Sequence, residues 1–157
     1  MRESVMSPEA FKRVLVVDDD DGVRRLLTSV LRQHSLIVDE ARDGREAVDL
    51  VRENHYAVIL LDLLMPVADG FVVLDALSRI DNSASPPVVL VLTGADRRVI
   101  AQIDSRHVHG VIRKPFDPED IATLVFACTE VKERNTFGTM ALATMMSGAP
   151  LLALLKL

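Results

Sequence analysis

Acidic, hydroxyl and ammonium side chains follow four separate apolar runs of this chain. Four consecutive aspartates, Asp18 to Asp21, come after the first run, and Asp62 comes after a later one. Thr93 ends another run, and Lys114 follows the last. If the runs are parallel strands, their carboxyl ends meet at one edge of the sheet, where such sheets bind ligands. The sequence therefore predicts one small pocket that contains these side chains.

The residue types in this pocket indicate phosphoryl chemistry with a bound cation. Carboxylates within a few ångströms of one another repel, and they hold protons unless a cation lies among them. Mg²⁺ suits such a pocket because it binds one or two carboxylates together with phosphate oxygens. Lys114 and the Thr93 hydroxyl would stabilise and orient phosphoryl oxygens. Asp62 is then the candidate nucleophile.

Short apolar runs alternate with stretches of helical period between residues 13 and 134, which is typical of strand–helix units and a parallel sheet. The predicted strands are 13–17, 36–41, 57–61, 88–92 and 110–113. Runs without polar interruption, such as that around Ile59, favour strands covered by helices on both faces. The chain is therefore predicted to be an α/β protein.

Capping residues and apolar spacing predict a helix after each strand. The helices are expected to start near Asp20, after Asp43, and at about residues 70, 97 and 118; the last three end near 80, 105 and 134. Asp69-Gly70 is interpreted as turn and capping chemistry. The apolar face predicted for the first helix contains Val23, Leu26, Leu27, Val30 and Leu31. In the last helix, Cys128 is expected to be buried, whereas Phe126 lies off the apolar stripe.

Composition limits the classes of protein to consider. A chain of 157 residues that is 49% hydrophobic holds one domain and an appendage. The net charge of −5 opposes non-specific attraction to nucleic acid. The single cysteine excludes an internal disulfide, and Pro8 and nearby charges do not fit a secretory signal, so a cytoplasmic location is expected. The histidines lack metal-ligand spacing and are predicted to be surface or loop residues: His34, His55, His107 and His109.

The composition changes abruptly near Thr136. The tail that follows is rich in Met, Ala and Leu, and Lys156 is its only charged residue. It approaches the length of a membrane span, but Gly148 and Pro150 interrupt it. We expect an apolar helix that packs on the domain, on a second copy in a homodimer or on a partner, in preference to membrane insertion. The predicted organisation is an extension at 1–11, a domain at 12–134 and a tail at 135–157.

Four motifs together resemble the receiver domain of bacterial two-component response regulators. They are Val-Leu-Val-Val-Asp-Asp at 14–19, Leu-Asp-Leu-Leu-Met-Pro-Val-Ala-Asp-Gly at 61–70, Thr93, and Lys114-Pro115. The resemblance covers residues 12–134 and implies a flavodoxin-like, doubly wound sheet of five parallel strands in the order 2-1-3-4-5, with helices on both faces. It also implies a single-domain, chemotaxis-type arrangement, here with an additional apolar tail.

The same resemblance implies a role for each pocket residue. Asp62 would accept a phosphoryl group from a phosphohistidine of a sensor histidine kinase or phosphotransfer protein. Asp19, Asp62 and the backbone carbonyl of Leu64 would bind Mg²⁺ directly, and Asp18 would act mainly through water. Thr93 would bond a phosphoryl oxygen, and Lys114 would pair with the phosphate and precede a cis peptide bond to Pro115. Such a module is not a metabolic enzyme; it would signal to an unidentified protein target, without binding nucleic acid.

Two departures from the family pattern carry expectations of their own. Receivers usually have Tyr or Phe three residues before the lysine, where this chain has Val111. A valine cannot swing between inward and outward aromatic poses, which removes the basis for the usual coupling to Thr93. Leu64 and Ala95 flank the pocket without a polar side chain that could position a hydrolytic water, which favours a long-lived phosphoryl state.

Two other functions fit parts of the pattern. A phosphatase of the haloacid dehalogenase type also uses an Asp nucleophile, Mg²⁺, Thr and Lys, and Asp18-Asp19-Asp20 matches its Asp-x-Asp pattern. That family requires an acidic pair beyond the lysine and usually a cap insertion, whereas here Asp117 and Glu119 open a helix. The other alternative is a receiver-like scaffold that is not phosphorylated, which has no physical need for the carboxylate cluster.

Overall fold

The computed structural model describes residues 12–66, 69–80 and 86–136. Five strands form one parallel sheet in the order β2-β1-β3-β4-β5. They are β1 (Arg13–Val17), β2 (Ile37–Ala41), β3 (Val58–Leu61), β4 (Val88–Thr93) and β5 (Gly110–Arg113). The predicted fold class and strand order are confirmed.

A helix follows each strand, and aspartates cap the first four. The helices are α1 (Asp21–Gln33), α2 (Gly44–Glu53), α3 (Gly70–Arg79), α4 (Arg97–Ile100) and α5 (Pro118–Thr136). A carboxylate oxygen of each capping residue accepts hydrogen bonds from free amides of the first turn. The capping residues are Asp20, Asp43, Asp69 and Asp96. The capping roles predicted for Asp20 and Asp69 are confirmed, and Asp43 caps the helix that was predicted to follow it.

Alternate residues of the central strands enter two apolar clusters, one on each face of the sheet. Val16 and Leu60 belong to the cluster that includes residues of α1 and α5. Leu15 and Ile59 belong to the cluster that includes residues of α2 and α3. All four side chains are almost completely buried, which explains why these strands read as unbroken apolar runs. The two layers of helices hold the strand ends, and hence the pocket, in a fixed position.

Two expectations about the helices are wrong. Leu26 is 50% exposed, while Leu27, Val30 and Leu31 are buried. At about 100° per residue, the buried positions of α1 form one arc that starts at Val30, and position 26 lies about 40° outside that arc. The fourth helix ends at Ile100 and does not continue to residue 105. Beyond it, the Asp104 carboxylate accepts hydrogen bonds from both the backbone and the side chain of Arg106, and such local bonds compete with helix formation.

The last helix bears out the expectations for two residues on its surface. Cys128 is buried in the cluster shared by α1 and α5. Phe126 is 39% exposed, and its ring lies 5.8 Å from the imidazole ring of His34, centroid to centroid. Within the described residues, the group of acidic, His and Cys side chains that could hold a metal contains no histidine.

The predicted extension at 1–11 and the tail beyond Thr136 lie outside the described residues, so their boundaries remain predictions. None of the helices within the described ranges combines the length and the apolar character needed to cross a membrane.

Candidate metal and phosphoacceptor site

Three carboxylates meet at the carboxyl edge of the sheet. Asp18 and Asp19 follow β1, and Asp62 follows the neighbouring strand β3. One ligand oxygen from each of the three residues lies within 4.8 Å of the others. Asp18 and Asp62 are buried, whereas Asp19 is exposed. The cluster is therefore closed on the protein side and open to solvent at Asp19.

Lys114 connects the two buried carboxylates across the sheet. Its Nζ lies 2.6 Å from Asp18 Oδ2 and 2.8 Å from Asp62 Oδ2. Burial disfavours the ammonium, but the hydrogen bonds that it donates to Asp18 and Asp62 outweigh this effect, and the pKa of Lys114 is raised. Lys114 is therefore a cation at neutral pH. The peptide bond between Lys114 and Pro115 is cis, as the resemblance implied.

The carboxylate oxygens of the cluster are ligand atoms that suit a hard divalent cation. Asp18 Oδ1 accepts from the amide of Asp20, and Asp62 Oδ1 accepts from the amide of Leu64. In the described part of the chain, Asp19 has neither a hydrogen bond nor an ion pair through its carboxylate, although it lies beside two further carboxylates. One ammonium cannot neutralise three carboxylates, so the donor set of anionic oxygens suits Mg²⁺.

Thr93 and Leu64 lie at the carboxyl ends of the neighbouring strands β4 and β3. Thr93 is fully buried at the end of β4, and its Oγ1 accepts from the amide of Ala95 at 3.1 Å. Leu64 is 51% exposed just after Asp62, whereas Ala95 is buried. Val111, on β5, packs half-buried in the cluster that α2 and α3 cover. Leu64 and Ala95, which follow Asp62 and Thr93 by two residues, thus bring apolar side chains to this edge of the sheet.

Gly70 sets the position of the Asp62 backbone, a role that the sequence did not predict. The first residue of α3 donates its amide to the Leu63 carbonyl. A Cβ at this position would lie 2.5 Å from the Asp62 carbonyl oxygen, a separation that side chains do not tolerate. The Asp-Gly pair signalled a turn, but nothing in the local sequence indicated that α3 begins against the backbone of Asp62.

The structure brings together Asp18, Asp19, Asp62 and Lys114. It puts Thr93 at the end of β4, and Leu64 in the loop after β3, where its amide donates to Asp62. The acidic residues expected of a phosphatase are elsewhere: Asp117 Oδ1 accepts from the amide of Glu119 at the start of α5. They are not in the described metal-capable cluster. The arrangement therefore favours a receiver-type pocket over the phosphatase alternative.

Fold and pocket define a response regulator receiver domain, and the chain belongs to this family. The family model described as the response regulator receiver domain matches residues 14–126. Among curated proteins, the chain is similar to the transcriptional regulatory protein SrrA of Staphylococcus aureus, with 37% identity over 123 residues, which is 78% of this chain. The chain spans about half the length of that relative, 50%. Receivers are signalling modules of two-component systems rather than metabolic enzymes.

Solved receiver structures resemble the chain over nearly their whole length. The receiver domain of the Francisella response regulator 1452 has 25% identity and a TM-score of 0.66, covering 76% of this chain and 98% of its own. The chemotaxis protein CheY4 of Vibrio cholerae has 26% identity and a TM-score of 0.64, with 74% and 97% covered. The response regulator TrrA of Thermotoga maritima, solved in complex with Mg²⁺ and BeF, has 26% identity and a TM-score of 0.61, with 74% and 98% covered.

Proposed function

We propose that Asp62 accepts a phosphoryl group from a phosphohistidine of a sensor histidine kinase or phosphotransfer protein, in a reaction that requires Mg²⁺. One observation carries the proposal: a buried carboxylate at a strand end is held by the Lys114 ammonium 2.8 Å away, beside two further carboxylates. Asp19, Asp62 and the Leu64 carbonyl would hold the ion, with Asp18 acting mainly through water. The Mg²⁺-bound state of TrrA supports this assignment by analogy.

The transfer exchanges one bond to phosphorus for another. A carboxylate oxygen of Asp62 attacks the phosphorus of the donor, so an O–P bond forms and the N–P bond to the donor imidazole breaks. The electron pair of the broken bond returns to the imidazole, which leaves protonated from solvent. The product is an aspartyl phosphate at Asp62 and a free histidine on the donor.

Two further side chains stabilise the phosphoryl group in this scheme. The Lys114 ammonium pairs with its oxygens, and the Thr93 hydroxyl, whose oxygen accepts from the Ala95 amide, donates its own hydrogen to one of them. Bound Mg²⁺ would neutralise part of the negative charge on the transferring group. Val111 stands where receivers usually have an aromatic residue and packs half-buried among aliphatic side chains, so the usual aromatic rotamer change would not report phosphorylation.

The phosphoryl state should persist, because neither Leu64 nor Ala95 has a polar side chain that can activate water. Leu64 is exposed but apolar, and Ala95 is buried. We expect the phosphoryl label on Asp62 to decay slowly, on the timescale set by intrinsic hydrolysis of the acyl phosphate. Intact mass followed over time after removal of the donor measures this decay, and rapid loss of the label would show that another group positions the attacking water.

The output of the module is phosphorylation-dependent binding to a protein target through the surface of α4, β5 and α5. The negative charge of the chain opposes direct binding to nucleic acid. The relative SrrA is a transcriptional regulatory protein, which makes DNA binding the alternative to test. Tight, salt-sensitive binding of this chain to duplex DNA would contradict the proposal. The tail at 135–157 would pack as an apolar helix on the receiver at 12–134, on a second copy or on a partner, in a cytoplasmic protein.

An intact-mass measurement tests the proposal. Wild-type protein is incubated with a small phosphodonor in Mg²⁺ and, in parallel, with excess chelator. We expect a gain of one phosphoryl group that requires Mg²⁺ and that is lost in Asp62→Asn, which keeps the side-chain shape but removes the attacking charge. Asp19→Asn should label poorly at low Mg²⁺ because it weakens binding of the ion. Equal labelling of Asp62→Asn and wild type would overturn the assignment.

A further inference from the structure

Arg24 connects the backbone behind the acidic pocket to two neighbouring elements. This residue of α1 has a side chain that is only 12% exposed. Its Nη1 donates to the backbone carbonyl of Asp18 at 2.7 Å, and its Nη2 donates to Asp21 Oδ1. Its Nε lies 3.7 Å from Glu40 Oε2 on β2. A single guanidinium therefore joins the end of β1, the first turn of α1 and the neighbouring strand.

The turn that Arg24 holds is the one that presents the proposed metal ligands. Asp18 Oδ1 accepts from the amide of Asp20, and Asp20 Oδ1 accepts from the amides of Gly22 and Val23. These bonds fix the capping end of the turn. The Asp18 peptide is fixed from the other side, where its carbonyl accepts the guanidinium of Arg24.

The contact between Arg24 and the Asp18 carbonyl also opposes electrostatic repulsion among the pocket carboxylates. Lys114 supplies one positive charge to Asp18 and Asp62, and the next residue, Asp19, brings a third carboxylate within 4.8 Å. Mutual repulsion of these groups drives the turn to open in the absence of a cation. A hydrogen-bonded guanidinium on the Asp18 carbonyl resists that opening, because a charge-assisted bond is stronger than a neutral one.

We propose that Arg24 is a positioning residue for the magnesium site: it holds the peptide of Asp18 so that the carboxylates of Asp18 and Asp19 remain within reach of Asp62. The inference rests on the proposed function, since it concerns Mg²⁺ bound at that site. Groups that hydrogen-bond to metal-binding residues raise metal affinity by about 10- to 100-fold. Loss of Arg24 should therefore weaken Mg²⁺ binding while leaving the nucleophile and Lys114 intact.

The test compares Arg24→Gln and Arg24→Lys with a control on the same helix, Arg25→Gln, whose side chain is exposed. Mg²⁺ affinity is measured by calorimetric titration of the full chain, and stability by urea unfolding without Mg²⁺. We expect Arg24→Gln to weaken Mg²⁺ affinity by about tenfold or more. Arg24→Lys, which retains one donor and the charge, should recover part of this loss, and Arg25→Gln should match wild type.

A rate measurement separates positioning from catalysis. At saturating Mg²⁺, Arg24→Gln should be phosphorylated by a small phosphodonor at close to the wild-type rate, because only the affinity for the ion has changed. Unchanged Mg²⁺ affinity in Arg24→Gln or, if that variant fails to fold, in Arg24→Lys would overturn the inference and leave Arg24 a structural residue. Wild-type protein that binds no Mg²⁺ would overturn the proposed function and the inference with it; measuring the wild type alongside distinguishes the two failures.

Discussion

The amino ends of the parallel strands and their carboxyl ends form two opposite edges of the sheet, here called the amino edge and the carboxyl edge. Each edge contains a carboxylate with a basic partner, but the charges cancel only at the amino edge. Near the amino ends of the strands, Asp39 Oδ2 accepts from Arg13 Nε at 2.8 Å and from the Tyr56 hydroxyl at 2.8 Å. The Arg13 guanidinium also lies 6.0 Å from the centre of the Tyr56 ring. Burial and the neighbouring Asp39 raise the pKa of Tyr56, so one anion, one cation and a neutral phenol complete this group.

The carboxyl edge differs because its charges do not cancel. Three carboxylates share one ammonium there, which leaves a formal charge of −2 among the contacting side chains. This excess of negative charge does not stabilise the folded protein, because placing an unpaired carboxylate near another carboxylate costs free energy. The amino edge therefore has the charge balance of a structural ion pair, whereas the excess negative charge of the carboxyl edge supports the proposed binding of a cation and a phosphoryl group there.

The largest effect is expected from removing the Lys114 ammonium at the carboxyl edge, with removal of the Arg13 guanidinium at the amino edge as its control. Lys114→Ala should slow phosphorylation of Asp62 by about 100- to 1,000-fold, the cost of losing one group that stabilises developing negative charge. Its Mg²⁺ binding should be largely retained. Arg13→Ala, the matched change at the amino edge, should label at close to the wild-type rate. Rates of mass gain at saturating Mg²⁺ measure both, and equal slowing by the two variants would break the distinction between the edges.

The next effect concerns the close approach of α3 to Asp62. Gly70→Ala places a Cβ 2.5 Å from the Asp62 carbonyl oxygen and 2.9 Å from the Leu63 Cα. The backbone must move, so we expect a loss of about 1–3 kcal/mol in the free energy of unfolding, together with slower labelling. Gly94→Ala is the control, since nothing lies within 4 Å of a Cβ there. Urea unfolding measures both, and a Gly70→Ala protein as stable as Gly94→Ala would contradict the packing described.

Isosteric neutralisation should have opposite signs at the two edges. Asp39→Asn removes the ion pair with Arg13 and should lower the free energy of unfolding by about 1 kcal/mol. Asp19→Asn relieves repulsion among the pocket carboxylates and should raise it by about 0.5 kcal/mol in Mg²⁺-free buffer. Added Mg²⁺ should stabilise the wild type and Asp39→Asn more than Asp19→Asn. Destabilisation by both substitutions without Mg²⁺ would show that the pocket is not under repulsion.

The smallest effect is a pH dependence at the amino edge. His109 Nδ1 accepts the amide of Val89 at 3.0 Å. Burial, and then the positive charges of Lys132 and His107, lower the pKa of His109. Because the folded pKa lies below the unfolded value of about 6.5, this contribution is complete above that pH and is lost as pH falls towards the folded pKa. His109→Gln should therefore lose less stability than wild type between pH 7 and 5.5 in urea unfolding; identical slopes would contradict this.

Most of the site could be predicted from the residues that stand at the ends of the predicted strands. Asp18, Asp62 and Lys114 could be predicted to meet because each follows an apolar run, and parallel strands align their carboxyl ends. The capping aspartates could be predicted as well, because an Asp just before a helical pattern accepts hydrogen bonds from the free amides of that helix. These inferences needed only the residue type and its place relative to one strand or helix.

Features that depend on contacts between distant segments could not be predicted. Arg24 is one arginine beside another in α1, and only the fold shows that it contacts the Asp18 carbonyl while Arg25 is exposed. Gly70 gave a turn signal but not its approach to Asp62. The early end of α4 at Ile100 reflects turn bonds from Asp104 that override a helical apolar spacing.

The most direct test of the central claim locates the phosphoryl group itself. Wild-type protein is treated with a small phosphodonor in Mg²⁺, the acyl phosphate is reduced with borohydride, and the peptides are sequenced by mass spectrometry. We expect conversion of a single aspartate, Asp62, to homoserine, and no conversion when Mg²⁺ is removed by chelation. Modification at Asp18 or Asp19 in place of Asp62, or modification of Asp62 that is unchanged by chelation, would contradict it.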